Sequence, residues 1–283
     1  MSSKPATRTR FVPARLADWL VEQHRQKRTF DVPPSALCID TLKQATQVQQ
    51  ALVRLKSRDC GPTAGWKIAL ATPVMQQMVG LNAPIAGRLH QKQQVSSPAS
   101  TRLADYGRLL IEFEIAVQLG RDLPKSDKPH SPESVASAVR GIAPAMEIAD
   151  DRGADYSQLA KLGLYLIADN AWNEGAVLGP FDRQWKKRGV SPKAISENDG
   201  LGSLRGEAFI NGVSVGGGHG RDLMGHPLKA LAWLANEANA RGEQLRANDV
   251  CILGSLVSSK FPKQGDEMRF ELEGFEPISL SIQ

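Results

Sequence analysis

The period of the hydrophobic positions changes along the chain, and each change predicts a different element. Over "ARLADWLVEQHRQK", Leu16, Trp19, Leu20 and His24 recur every three or four residues, the spacing of an amphipathic helix. "SALCIDTLKQATQVQQALVRLKSRD" continues that period over a longer run, with Ser35 as its expected N-cap. Gly61, Pro62 and Gly65 then break the pattern, which sets an N-terminal helical unit over residues 1–60 apart from the remainder, 61–283. From "GWKIAL" onward short apolar runs alternate with Gly and Pro turns, interrupted by the polar helix expected in "SPESVASAVRGI". Asn211-Gly212 in "AFINGVSVGGG" is the pair a tight type I′ hairpin prefers. "HPLKALAWLANEANARG" reads as a helix opened by Pro227 and closed by Gly242, and "DEMRFELEGFEPISLSI" as closing strands. Together these elements predict an α+β fold built on a mixed or antiparallel sheet.

One strand of that sheet poses a chemical question. In "LLIEFEIAVQLG" the alternation puts Ile111, Phe113, Ile115 and Val117 on one face, and Glu112 and Glu114 side by side on the other. Two carboxylates that close repel unless water or a cation relieves them. Taken alone, the pair describes a strand with one solvated face. Glu147, at the end of another apolar run in "APAMEIADDR", adds a third acid with no His or Cys nearby. Three carboxylates form the oxygen-rich ligand set that hard ions such as Mg²⁺ or Mn²⁺ prefer.

Composition narrows the class of function. With 41% hydrophobic and 23% charged residues over 283 positions, the chain can bury a sizeable core and is not a disordered segment. Its net charge of +5 is scattered among acids rather than gathered into a stripe, which argues against nucleic acid as a partner. No apolar run approaches the roughly 20 residues of a membrane span. The basic leader "SSKPATRTR" lacks the apolar centre of a secretory signal and reads as a frayed terminus. Cys38, Cys60 and Cys251 are odd in number and lack metal-ligand spacing, so a reducing, cytoplasmic setting is expected.

In six ordered blocks the chain resembles the 2-keto-4-pentenoate hydratase and 4-oxalocrotonate decarboxylase branch of the fumarylacetoacetate hydrolase superfamily. The blocks are "GWKIALATPVMQQMVGLNAPIAGRL", "IEFEIAVQLGRDLP", "PAMEIADDR", "IADNAWNEGAVLG", "GHPLKALAWLAN" and "GEQLRANDVCILGSL". The resemblance implies a mixed β-roll with flanking helices, and one Mg²⁺ or Mn²⁺ held by Glu112, Glu114 and Glu147. It implies Lys67 as the active-site lysine, holding a substrate carboxylate or moving a proton, and places Asp169 and Asn170 near the substrate. Arg88 in "PIAGRL" is a second candidate carboxylate contact, since a guanidinium can grip both oxygens. The implied partners are a small 2-oxo acid or dienoate substrate and further copies of the chain, at least as a dimer.

Three positions depart from the hydratase pattern. Ile85 stands where an aspartate would act as acid or base, Trp172 where a small hydroxyl residue is usual, and Leu253 where threonine is usual. Trp172 and Leu253 therefore predict apolar contact at the far end of the substrate. The resemblance implies a hydratase adding water to a 2-hydroxy-2,4-dienoate. An acylpyruvate-type carbon-carbon hydrolase, a 2-oxo diacid decarboxylase and a non-catalytic partner subunit are the alternatives. The hydrolases of this superfamily use a Glu and His pair on a lid. Glu22 and His24 are near in sequence, but two residues apart on a helix they face different ways.

Overall fold

A computed structural model describes residues 11–190 and 195–283. The basic leader lies outside the described residues. Two helices come first, α1 (Pro13–Arg25) and α2 (Leu42–Cys60). Ser35 does not cap the second: it opens a separate short turn, Ser35–Leu37, and Thr41 forms a full capping box with Gln44. Two helix-start signals lie six residues apart here, and the one with a glutamine three positions on prevails.

The chain then alternates strands and short helices: β1 (Thr63–Ala69), α3 (Pro73–Met78), β2 (Ile85–His90), β3 (Gln94–Ser96), β4 (Ala99–Thr101) and β5 (Leu109–Leu119). It continues through α4 (Pro132–Ala136), β6 (Val139–Asp150), α5 (Gly163–Ala168), β7 (Asn173–Leu178), β8 (Arg205–Ile210) and β9 (Val213–His219). The last elements are α6 (Pro227–Ala240), β10 (Val250–Ser255), β11 (Glu267–Leu272) and β12 (Ile278–Ile282). Asn211 and Gly212 join β8 to β9 with φ of 51° and 79°, the left-handed pair that a type I′ turn requires. Ser131 caps α4, but that helix spans only five residues, because "VRGI" is drawn into β6.

Two mixed sheets result. The larger runs β2-β1-β10-β5-β6-β7-β3, and the smaller β4-β12-β11-β8-β9. Both combine parallel pairs, such as β1 with β10 and β4 with β12, with antiparallel ones. Ile111, Phe113, Ile115 and Val117 belong to the main core, together with Phe270 and Leu280 of the smaller sheet and Leu231 of α6. A second apolar cluster joins Leu16, Leu20, Val48 and Leu52 of the N-terminal helices to Ile85, Leu110, Leu166 and Trp172. The N-terminal helices thus pack directly on the segments that surround Trp172.

Candidate active site

Strand register brings the acids together. β5 and β6 pair antiparallel with Glu112 directly opposite Glu147, and Glu114 lies two residues farther along the same face. One carboxylate oxygen from each of Glu112, Glu114 and Glu147 lies within 4.8 Å of the others. Glu114 and Glu147 are fully buried and Glu112 is half-buried.

Each carboxylate is fixed through one oxygen. Ser259 Oγ donates to Glu112 Oε1 at 2.6 Å, and the Gly254 N–H donates to Glu114 Oε2 at 2.7 Å. Asn173 Nδ2 and Lys67 Nζ both donate to Glu147 Oε1 at 2.8 Å. The remaining oxygens, Glu114 Oε1 and Glu147 Oε2, are buried without a partner. An unpaired carboxylate oxygen away from water is strongly unfavourable, and two beside each other more so. Burial, reinforced by the Glu147 charge, pushes the carboxyl of Glu112 above its ordinary range. The same two causes, with Glu112 added, hold Glu114 well above it. A hard divalent cation would satisfy both orphaned oxygens and cancel the repulsion, so this donor set fits Mg²⁺ or Mn²⁺.

Lys67 projects from β1 into the same cluster. Burial alone would push its ammonium down, but Glu147 and then Glu112 outweigh that, so the net shift is upward and the side chain is held charged. Its Nζ also donates to the Ala171 carbonyl at 2.9 Å. That carbonyl is presented by an unusual turn: Asn170, Ala171 and Trp172 all have positive φ, at 56°, 48° and 61°. Three successive non-glycine residues in the left-handed region store strain that the surroundings must hold in place. Gly87, opposite Lys67 in the β1–β2 pair, permits the approach, since a Cβ there would meet Lys67 Cγ at 2.9 Å and Asn170 Oδ1 at 3.2 Å.

Several expected contacts fall elsewhere. Arg88 pairs with Trp66, not Lys67, so strand alternation sends it to the opposite face of the sheet. There its guanidinium stacks 3.8 Å from the centre of the Trp66 ring and binds Glu243 and Thr63, in place of a substrate carboxylate. Asp169 is buried in an ion pair with Arg152 at 2.7 Å, and His24 Nε2 closes on its other oxygen. It anchors the turn from beneath and does not line the pocket. Asn170 spends its amide on the Arg88 backbone, accepting from the N–H at 2.8 Å and donating to the carbonyl at 3.0 Å, which covers the edge of β2. Leu253 points into the main core, because β10 turns its neighbour Gly254 toward the acids. Trp172 is where apolar contact was expected, on the pocket wall. Ile85 is buried in the second apolar cluster, away from the pocket lining.

The pocket, of about 270 Å³, has Lys67, Glu112, Ala171 and Ser259 at one end. Leu70, Met75, Met78, Leu110, Leu166 and Trp172 line the rest, with Tyr156 and Phe261. The sequence reading missed Ser259, Asn173, Tyr156 and Phe261. Asn173 sits within a block that carried the resemblance, and that was its only signal; Ser259, Tyr156 and Phe261 lie in loops without any pattern.

Residues 72–282 match the family described as "Fumarylacetoacetate (FAA) hydrolase C-terminal". The chain belongs to this family. The chain is 31% identical over 220 residues to the 2-keto-4-pentenoate hydratase of Paraburkholderia xenovorans, covering 77% of this chain and 76% of that one. It is 28% identical over 245 residues to the 2-hydroxyhexa-2,4-dienoate hydratase of Comamonas testosteroni, covering 86% of each. The structure of 4-oxalocrotonate decarboxylase from Pseudomonas putida G7, complexed with magnesium and adipate, superposes with a TM-score of 0.81. That likeness, at 22% identity, spans 99% of this chain and 100% of the other and shows the shared fold. The family and α+β fold inferred from six sequence blocks, and the expectation of an enzyme, are borne out. Among the described residues no helix is long and apolar enough to cross a membrane.

Proposed function

We propose that this chain is a divalent-metal-dependent hydratase, adding water to a 2-hydroxy-2,4-dienoate to give a 4-hydroxy-2-oxo acid in the breakdown of aromatic compounds. The observation that carries the reading is the pair of orphaned, buried oxygens on Glu114 and Glu147, beside Glu112, which lines a pocket with room for a small acid. The names of two relatives, a 2-hydroxyhexa-2,4-dienoate hydratase and a 2-keto-4-pentenoate hydratase, point the same way.

Glu112, Glu114 and Glu147 would hold the ion, whose Lewis acidity favours the enolate form of a bound 2-oxo acid. Lys67, charged and fixed by Glu147 and the Ala171 carbonyl, presents a donor to the substrate carboxylate or to the oxygen that carries enolate charge. Ketonisation of the dienol removes its hydroxyl proton, adds a proton to the far carbon of the diene and leaves a double bond conjugated to the 2-oxo group. Water then adds its oxygen to the far carbon of that bond and a proton to the near one.

The hydrolase alternative finds no support in Glu22 and His24, the Glu and His that lie near each other in sequence. Glu22 binds Arg25 and Gln26 on the outer face of α1, and His24 is taken up by Asp169 and Glu174. Neither lines the pocket.

Calorimetric titration with Mg²⁺ or Mn²⁺ is expected to show one site per chain that Glu147→Gln abolishes. Product analysis of a 2-hydroxydienoate incubation is expected to show a new hydroxyl on an intact carbon skeleton. No ion bound at saturation, or pyruvate with a second acid, or evolved CO₂, would overturn the reading. The same proposal includes a cytoplasmic setting, supported by three unpaired cysteines, and a homo-oligomer of at least two chains, to be measured by light scattering.

A further inference from the structure

We propose that the substrate carries a bulky, uncharged apolar group at the end remote from its 2-oxo acid, and that Phe261, Tyr156 and Trp172 select for it. The inference rests on the metal-site reading and extends it to the substrate class. Beyond the polar end, the pocket lining offers no cation, and its polar side-chain atoms are two neutral donors: the Tyr156 hydroxyl, donated to Asp151 Oδ2 at 3.0 Å, and the Trp172 indole Nε1–H, buried without a partner. The walls are aliphatic and thioether side chains, with a run of rings along one side. Phe30 meets Trp172 edge-on at 5.2 Å, Trp172 lies 6.4 Å from Tyr156, and Tyr156 lies 6.5 Å from Phe261.

The nearest cation behind this wall is committed. Arg108 stacks over Tyr156 and Phe261 at 5.5 and 5.0 Å, and its Nε and Nη2 donate to Asp151 at 2.7 and 2.6 Å. It stiffens the rings from outside the pocket and has no forked face left for a ligand. A distal carboxylate would shed its water here with no cation to meet it and at most the one neutral Trp172 Nε1–H, which does not offset the loss of a charge's hydration, whereas an alkyl or aryl group would gain contact on every side. Phe261 and Met75 are 46% and 38% exposed in spite of their size, so the mouth keeps open apolar surface that a longer substituent would cover.

The test uses the full chain with Mg²⁺ and a series of stable 2-oxo acids followed by calorimetry: pyruvate, 2-oxobutanoate, 2-oxopentanoate, 2-oxohexanoate, 2-oxo-4-phenylbutanoate and the diacid 2-oxoadipate. Affinity is expected to rise about fourfold for each added methylene until the arm is full. 2-Oxoadipate is expected to bind at least about tenfold more weakly than 2-oxohexanoate, its counterpart with an uncharged distal end. Phe261→Ser, at a partly exposed position, is expected to narrow the gap between 2-oxohexanoate and pyruvate by about tenfold. A flat series, or a diacid bound more tightly, with pyruvate still held in a Mg²⁺-dependent way, overturns this inference and leaves the metal-site reading standing. A chain that binds no member of the series overturns both.

Discussion

The two ends of one pocket are built by opposite means. At the polar end every functional atom sits on a strand or is fixed by a hydrogen bond of 2.6–2.9 Å, and like charges are forced together. At the apolar end the lining comes mostly from short helices and loops, with Leu110 on β5, is partly exposed, and apart from the Tyr156 hydroxyl bond to Asp151 makes dispersion and ring contacts. A reacting centre needs its groups fixed to a fraction of an ångström, and strand register supplies that. A substituent pocket needs volume and dryness, which several arrangements of side chains can give. The left-handed turn of Asn170, Ala171 and Trp172 belongs to both ends, handing a carbonyl to Lys67 and a ring to the apolar wall.

The sharpest way to break the comparison is Lys67→Met. Removing the only ammonium among three carboxylates leaves buried charge uncompensated, which typically costs about 3–5 kcal/mol. We expect a large fall in the thermal midpoint of the metal-free protein, substantially restored by saturating Mg²⁺. A variant as stable as the parent without metal would mean that Lys67 does not balance the acids.

Asn173→Ala and Ser259→Ala probe how far the anchoring of each carboxylate matters. Groups that orient ligands are generally worth about 10–100-fold in metal affinity, and the expected loss on Mg²⁺ titration is of that size for either variant. Unchanged affinity would show that register alone sets the geometry.

His24→Gln acts on the shared turn and is the gentlest. Burial alone would push the His24 imidazole down, but Asp169 outweighs it, and the net shift is up from 6.5. Glu174, 3.0 Å from Nδ1, adds to the rise, and the opposing Lys56 does not reverse it. An imidazolium satisfies both carboxylates, whereas a neutral ring can donate to only one. Because the folded value is raised, the ring's stabilisation is fully present below about pH 6.5 and is lost as pH rises through the folded value. The melting difference between parent and His24→Gln should therefore be largest in mild acid and shrink toward alkaline pH. A difference independent of pH would reduce His24 to a packing residue.

The legible parts of the site were those encoded by local period. Glu112 and Glu114 share a face because they are two apart on a strand, and that holds in any fold that keeps the strand. The same rule, applied across β1 and β2, would have sent Arg88 away from Lys67, but the pairing partner is invisible until the strands are placed. Asp169 and Asn170 do not line the pocket: their side chains are consumed by Arg152 and His24 and by the edge of β2. Ser259, Tyr156 and Phe261 carry no periodic signal, since loop residues meet the pocket only through the course of the chain.

By itself the amino-acid sequence determined the elements, the family and the acid-bearing strand faces, because alternation, capping and turn chemistry act between residues close along the chain. Which oxygens stay unpaired, which guanidinium turns outward and which rings enclose the apolar arm were decided by tertiary structure. Those outcomes depend on register between distant strands and on burial, and neither exists before the chain has closed on itself.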